Sequence, residues 1–338
     1  MDAKPQGWGA HHLPLVLLVL TMFAVLVGGS VRIYDAGESC PDWPKCFGTW
    51  SFDVSEEDQA TWWEAHPEEV DSRGEHHRYS TFEIFLEWFH RLVTGLLLGP
   101  LCIVQVALAF RRRETAPAPW RASSLALVLV IVQGAFGAAT VHYDNIPWSV
   151  AIHLVFALLL ALSLLWAWLT WAASVNALPA WCNVGMRHRR KMRHLSSATL
   201  GVLVLGALIA STEQANTACG VGWAAWPLCH GGLLPVMTAW ETQLQMAHRL
   251  AVLAVLVLLV QHVRSFDGPA VLLRLSKAAM HIFVTNLLVG GLYLVTWDPS
   301  TAFIEGLSLV HLMLGSASFL CLAFGALLCQ HSTSDESE

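Results

Sequence analysis

Four of the histidines inside apolar stretches of this 338-residue chain are paired in their spacing. His248 in LQMAHRL follows His90 in LEWFHRL by 158 residues (248 − 90), and His311 in LVHLML follows His153 in AIHLVF by the same 158 (311 − 153). Ionisable side chains at membrane depth are costly and usually functional. A lone one could simply bridge two helices with a hydrogen bond, but two identically spaced pairs call for a ligand. Two imidazoles facing each other across an apolar bundle suit the axial positions of a heme iron, whose flat macrocycle fits between helices. Zinc or copper would need a third or fourth ligand, and no other His, Cys or carboxylate recurs at this level in both halves. Each half is therefore expected to hold one heme.

The halves differ at one informative place. Glu87 precedes His90 by three residues, whereas Gln245 precedes His248 by three. That spacing puts each side chain on the same helix face as its histidine. A carboxyl group there could handle protons or stabilise positive charge, so the first half reads as reactive and the second as a redox holder. Arg91 and Arg249 each follow a helix histidine directly. They are expected to pair with porphyrin propionates, the competing reading being an interhelical hydrogen bond. Cys40 with Cys46 and Cys219 with Cys229 form two close pairs in CPDWPKCFG and in the segment ending WPLCHG. Stapling disulfides are the expectation for the second pair, while a redox-active role stays open for the first. Cys102, Cys182, Cys321 and Cys329 read as small buried hydrophobes. His11, His12, His66, His76 and His77 read as solvated.

Placing these groups requires a membrane. Hydrophobic residues make up 55% of the chain and charged ones 13%, with a mean hydropathy of +0.52, too apolar for an ordinary soluble globule. Eight apolar runs beginning near Leu13, Thr81, Ala122, Trp148, Leu195, Trp240, Lys277 and Ala302 are long enough to span a bilayer as helices. The first reads as a retained anchor, without a cleavage pattern behind it. Arg111, Arg112, Arg113 and Arg121, the basic cluster from Arg187 to Arg193, and Arg264, Arg274 and Lys277 fall on one side. The positive-inside rule makes that side cytoplasmic, together with both termini. The link 34–79 carries Glu56, Glu57, Asp58, Glu64, Glu68, Glu69, Asp71 and Glu75 and is placed outside, as are both cysteine motifs. The net charge of −6 gives no nucleic-acid surface.

The chain thus reads as an all-α membrane protein of two tandem, pseudo-symmetric four-helix bundles. The first unit is 1–173, a basic linker covers 174–194, the second unit is 195–331 and an acidic tail covers 332–338. The cysteine motifs are offset by 183 residues (229 − 46), so the first loop holds 25 more than the third (183 − 158). Gly28, Gly29, Gly134, Gly137, Gly290 and Gly291 are expected at helix contacts.

Together GGSVR, CPDWPKCFG, LEWFHR, the four helix histidines and WPLCHG resemble the heme A synthase family, over about residues 13 to 329. Tyr34-Asp35-Ala36-Gly37 departs from the Thr-Gly-small-Gly common in that family, and the acidic insertion with Trp62 and Trp63 is a second departure. The resemblance implies oxidation of the C8 methyl of heme O to a formyl group, by two hydroxylations and loss of water. It implies substrate heme O between His90 and His153, with Glu87 beside the methyl, and a permanent heme b between His248 and His311. It further implies a multi-pass protein of the plasma membrane, working with a heme O synthase and with terminal oxidase assembly. The electron donor and any homo-oligomer are left open. Two other classes remain at this point, a diheme b-type quinol electron carrier and a membrane thiol-disulfide oxidoreductase.

Overall fold

The computed structural model describes residues 9–70, 73–143, 145–233 and 239–331. Asp71 and the acidic tail 332–338 lie outside the described residues. Among those described the protein is all-α, with no strand. In chain order the helices are α1 (Leu13–Ile33), α2 (Glu56–Ala65), α3 (Thr81–Leu92), α4 (Gly99–Phe110), α5 (Pro117–His142), α6 (Pro147–Ser174), α7 (Arg189–Ser211), α8 (Trp240–Arg264), α9 (Ala270–Val295) and α10 (Ala302–His331). A π-helical stretch, Val93–Leu98, joins α3 to α4, so these two form one span from Thr81 to Phe110. That span and seven other helices are long and apolar enough to cross a membrane, which makes this a multi-pass membrane protein.

Local chemistry explains where the helices begin. Pro117 and Pro147 stand at the first position of α5 and α6, where the missing N–H costs nothing. Ser80 caps α3, accepting from the Glu83 N–H while the Glu83 carboxylate accepts from the Ser80 N–H at 2.7 Å. Large apolar side chains on the outward faces, such as Val19, Leu96, Ile131, Leu253 and Leu288, are more than half exposed, as lipid contact requires.

Within the first half, α1, the α3–α4 span, α5 and α6 pack in a ring. In the second, α7, α8, α9 and α10 do the same. Between the halves α6 meets α7, α1 meets α10, and α6 meets α10. This neighbour pattern does not conflict with two like units in tandem. Helix α7 already begins at Arg189, so the basic residues from Arg189 to Arg193, read from sequence as linker, form its first turns.

The acidic link is more structured than its charge suggests. Ser55 caps α2 through a box with Asp58, and Trp63 packs with Phe47, Val54, Tyr79 and Ile84 against Cys40 and Cys46. His66 stacks on Trp62 at 3.7 Å between ring centroids, and His11 is buried, which corrects the solvated reading of both. Cys321 is only half-buried, whereas Cys102, Cys182 and Cys329 are buried. Burial pushes the Cys182 thiol up to about 11, leaving it an inert packing residue.

Candidate functional site

All four histidines line a single cavity of about 1260 Å³ that runs through both halves. Small-molecule pockets usually measure roughly 300–1,000 Å³, so this space exceeds one ordinary site. Each histidine lies six to nine residues into its helix from the cysteine-bearing end (153 − 147, 248 − 240, 90 − 81 and 311 − 302). At 1.5 Å per residue this is roughly 9 to 14 Å below the helix starts, a shared depth.

A glycine on the preceding span seats each imidazole. A Cβ added at Gly28 would lie 2.9 Å from His90 Cε1, and one at Gly137 would lie 3.3 Å from His153 Cε1. The second half repeats this, with 3.4 Å from Gly206 to His248 and 2.8 Å from Gly290 to His311. Gly28, Gly137 and Gly290, expected at helix contacts, thus give room to the histidines themselves. Gly206 went unnoticed in the sequence. Gly134 meets nothing within 4 Å, so it makes none of the expected contact.

These residues pass a test of fit to heme in the second half most directly. The rings of His248 and His311 face each other with centroids 6.5 Å apart. With metal–nitrogen bonds of about 2 Å, two imidazoles on one metal put their centroids roughly 6 Å apart. His311 Nδ1 bonds the carbonyl of Asn286 at 3.0 Å. A carbonyl only accepts, so Nδ1 carries the proton and Nε2 is left as the ligand atom. In the first half His90 and His153 are partly buried and line the cavity, and Nδ1 of each is buried without a partner. Among the described residues no three His, Cys, Asp or Glu side chains converge.

Both arginines line the cavity and bond protein groups. Arg91 Nε pairs with Glu87 Oε1 at 2.6 Å, and its other nitrogens donate to the carbonyls of Cys40, Asp42 and Lys45. Arg249 donates to Gln245 Oε1 at 2.9 Å and to the Leu228 carbonyl at 2.7 Å. Lys45 and Leu228 precede the matched Cys46 and Cys229, so both halves make the same bond from helix to loop. These bonds anchor each cysteine loop to its helix. Glu87 is buried and lines the cavity, but it is held in a charge-assisted hydrogen bond.

The recurrent Trp-Pro-x-Cys-x-Gly builds one turn twice. Cys46 pairs with Thr49 across it, as Cys229 does with Gly232. The intervening Phe47–Gly48 and His230–Gly231 all have positive φ, the backbone of a tight two-residue hairpin turn, which explains the glycine. Cys40 and Cys46 stand at bonding distance with Cα atoms 4.4 Å apart, and Cys219 and Cys229 with Cα atoms 4.5 Å apart. Non-reducing peptide mass spectrometry is expected to find both links in protein prepared without reductant. Free thiols at all four positions would refute stapling.

Several lining residues escaped the sequence reading. Glu38, a second buried carboxyl group in the first half, accepts from Asn145 Nδ2 at 3.0 Å. Gln133 and Asn286, separated by 153 residues (286 − 133), each lie one turn before a histidine-seating glycine. Gln133 donates to the His153 carbonyl at 3.0 Å. A signal for both amides was present, since each interrupts an apolar helix. Glu38 had none, standing among many acidic loop residues.

Residues 11–322 match the COX15-CtaA family model, described as cytochrome oxidase assembly protein. The chain is 27% identical over 219 residues to a heme A synthase of Shewanella oneidensis, covering 64% of this chain and 60% of that one. It is 28% identical over 245 residues to one of Geobacillus thermodenitrificans, covering 70% and 66%. A third, of Shouchella clausii, is 24% identical over 326 residues, 95% and 97% of the two lengths. The match thus spans less than two thirds of the first two relatives and nearly all of the third. With the family match extending from the start of the first span almost to the end of the eighth, this chain belongs to the COX15-CtaA family of cytochrome oxidase assembly proteins.

Proposed function

We propose that the protein is a heme A synthase that oxidises the C8 methyl of heme O to a formyl group. The observation that carries this reading is the asymmetry between two otherwise matched sites. Both have paired cavity histidines seated on glycines and an arginine tied to a cysteine loop, but only the first presents a carboxylate, Glu87, where the second has Gln245. The first pair, His90 and His153, would take the substrate heme O, and the second, His248 and His311, a resident heme b. When bound, the resident heme supplies one-electron redox chemistry. The protein's own residues orient the rings, exclude water and hold a carboxylate at the first site. Arg91 fixes Glu87 while leaving its second oxygen outside that bond.

Membership of the family and the relatives named heme A synthase support the reading. In this proposal the cysteine loops face outward, the basic ends and both termini face the cytoplasm, and the membrane is the plasma membrane. A heme O synthase would supply the substrate, terminal oxidase assembly would consume the product, and the electron donor is a separate component. The thiol-disulfide alternative is disfavoured because Cys40, Cys46, Cys219 and Cys229 are each at most 1% exposed, and exchange requires access for an attacking thiolate. Co-expression with a heme O synthase, followed by pigment extraction and chromatography, is expected to yield heme A. Heme O alone beside a correctly folded chain would refute the proposal.

A further inference from the structure

The matched Trp-Pro turns place their tryptophans differently. In the second half the Trp226 ring lies against Gly291, so closely that a Cβ there would stand 2.5 Å from Cε2 and 2.7 Å from Cδ2. Gly291 is buried and follows Gly290, the seat of His311. Trp226 lines the cavity at the loop end of the second histidine pair. In the first half Trp43 is also at the cavity wall but is 71% exposed. The residue matching Gly291 there is Ala138, at the same 153-residue offset (291 − 138) that relates Gly290 to Gly137 and Asn286 to Gln133. A methyl group at that position denies the close approach that Trp226 makes.

We infer that Trp226 docked on Gly291 is a latch that retains the ligand of the second site, and that Ala138 with the undocked Trp43 leaves the first site open for exchange. The inference rests on the proposed assignment of a resident heme to His248 and His311. It adds the physical reason one site would keep its heme while the other turns over. A docked indole closes the cavity with a large rigid apolar surface, and opening it breaks those contacts before the ligand can leave. A substrate site cannot carry such a closure, since each turnover must admit a new ligand and release the product. Glu68, Glu69 and Val70 of the acidic link also line the cavity.

The test follows heme release from the purified full chain, carrying its retained heme, into excess apomyoglobin by absorbance. Trp226→Ala removes the ring, and Gly291→Ala displaces it with a single methyl group. Both are expected to accelerate release roughly tenfold, since changes within one interface fall mainly on the dissociation rate. Trp226→Phe, which keeps an aromatic face, is expected to fall between these variants and wild type. Unchanged release in both Trp226→Ala and Gly291→Ala at normal heme content would overturn the latch. An equal acceleration by Trp43→Ala would do so too, since the effect would then not belong to the second site. A His311→Ala chain that keeps its full heme content would instead overturn the underlying assignment, whatever the release rates.

Discussion

Glu87→Gln lowers conversion of heme O to heme A by about 100- to 10,000-fold, the usual loss for a positioned proton-transfer group, while heme binding survives. Survival is expected because the second half already demonstrates the geometry. Gln245 accepts from Arg249 through its Oε1, so the amide introduced by Glu87→Gln can hold Arg91 in the same way and keep the cysteine loop anchored. Only the charge is lost. Extracted pigments separated by chromatography provide the measurement. Accumulated heme O places the carboxylate at the first oxidation, and accumulated alcohol places it at the second. Undiminished heme A would mean that Glu87 serves only as the Arg91 anchor, and catalysis in the first half would lose its residue-level support. A plain diheme carrier requires no effect of this substitution on its chemistry, which makes Glu87→Gln the sharpest division between the two classes.

Replacing His248 or His311 by Ala is expected to abolish the tightly held heme b, whereas His90→Ala or His153→Ala leaves it largely in place. The reason is the separation of the pairs. Each pair is contributed by two helices of its own half, and each ring is seated against a glycine of that same half. Loss of one imidazole removes an axial ligand and leaves a void beside its glycine without touching the other pair. Reduced-minus-oxidised spectra of purified variants report the outcome. Equal heme b loss from all four variants would abolish the division into substrate and cofactor sites, and with it the basis for a latch at Trp226.

Much of this protein is legible in its sequence because the membrane makes polarity conspicuous. Eight long apolar runs had to become helices, since lipid offers no partner for an unpaired backbone group. Against such a background His90, His153, His248 and His311 stand out individually, and their shared 158-residue spacing ties them into pairs. The Glu87–Gln245 difference is equally visible, because helix geometry alone places each beside its histidine. These conclusions depend on local periodicity and on counting along the chain.

What only the tertiary structure decided are contacts between segments joined by irregular loops. Arg91 directly follows His90 in the chain, yet its guanidinium turns to carbonyls of a loop 46 to 51 residues away and to Glu87. Glycines that read as helix spacers prove to be seats for imidazoles, a matter of rotation about neighbouring helices that composition does not encode. The charges of the acidic link place it outside, while Trp63 and Tyr79 pack onto the cysteine turn. Glu38 became notable only when folding buried it against Asn145. Trp226 rests against Gly291 whereas Trp43 is largely exposed, although the two turns match. A repeated motif determines the turn, but where its side chain comes to rest is set by the surface it lands on.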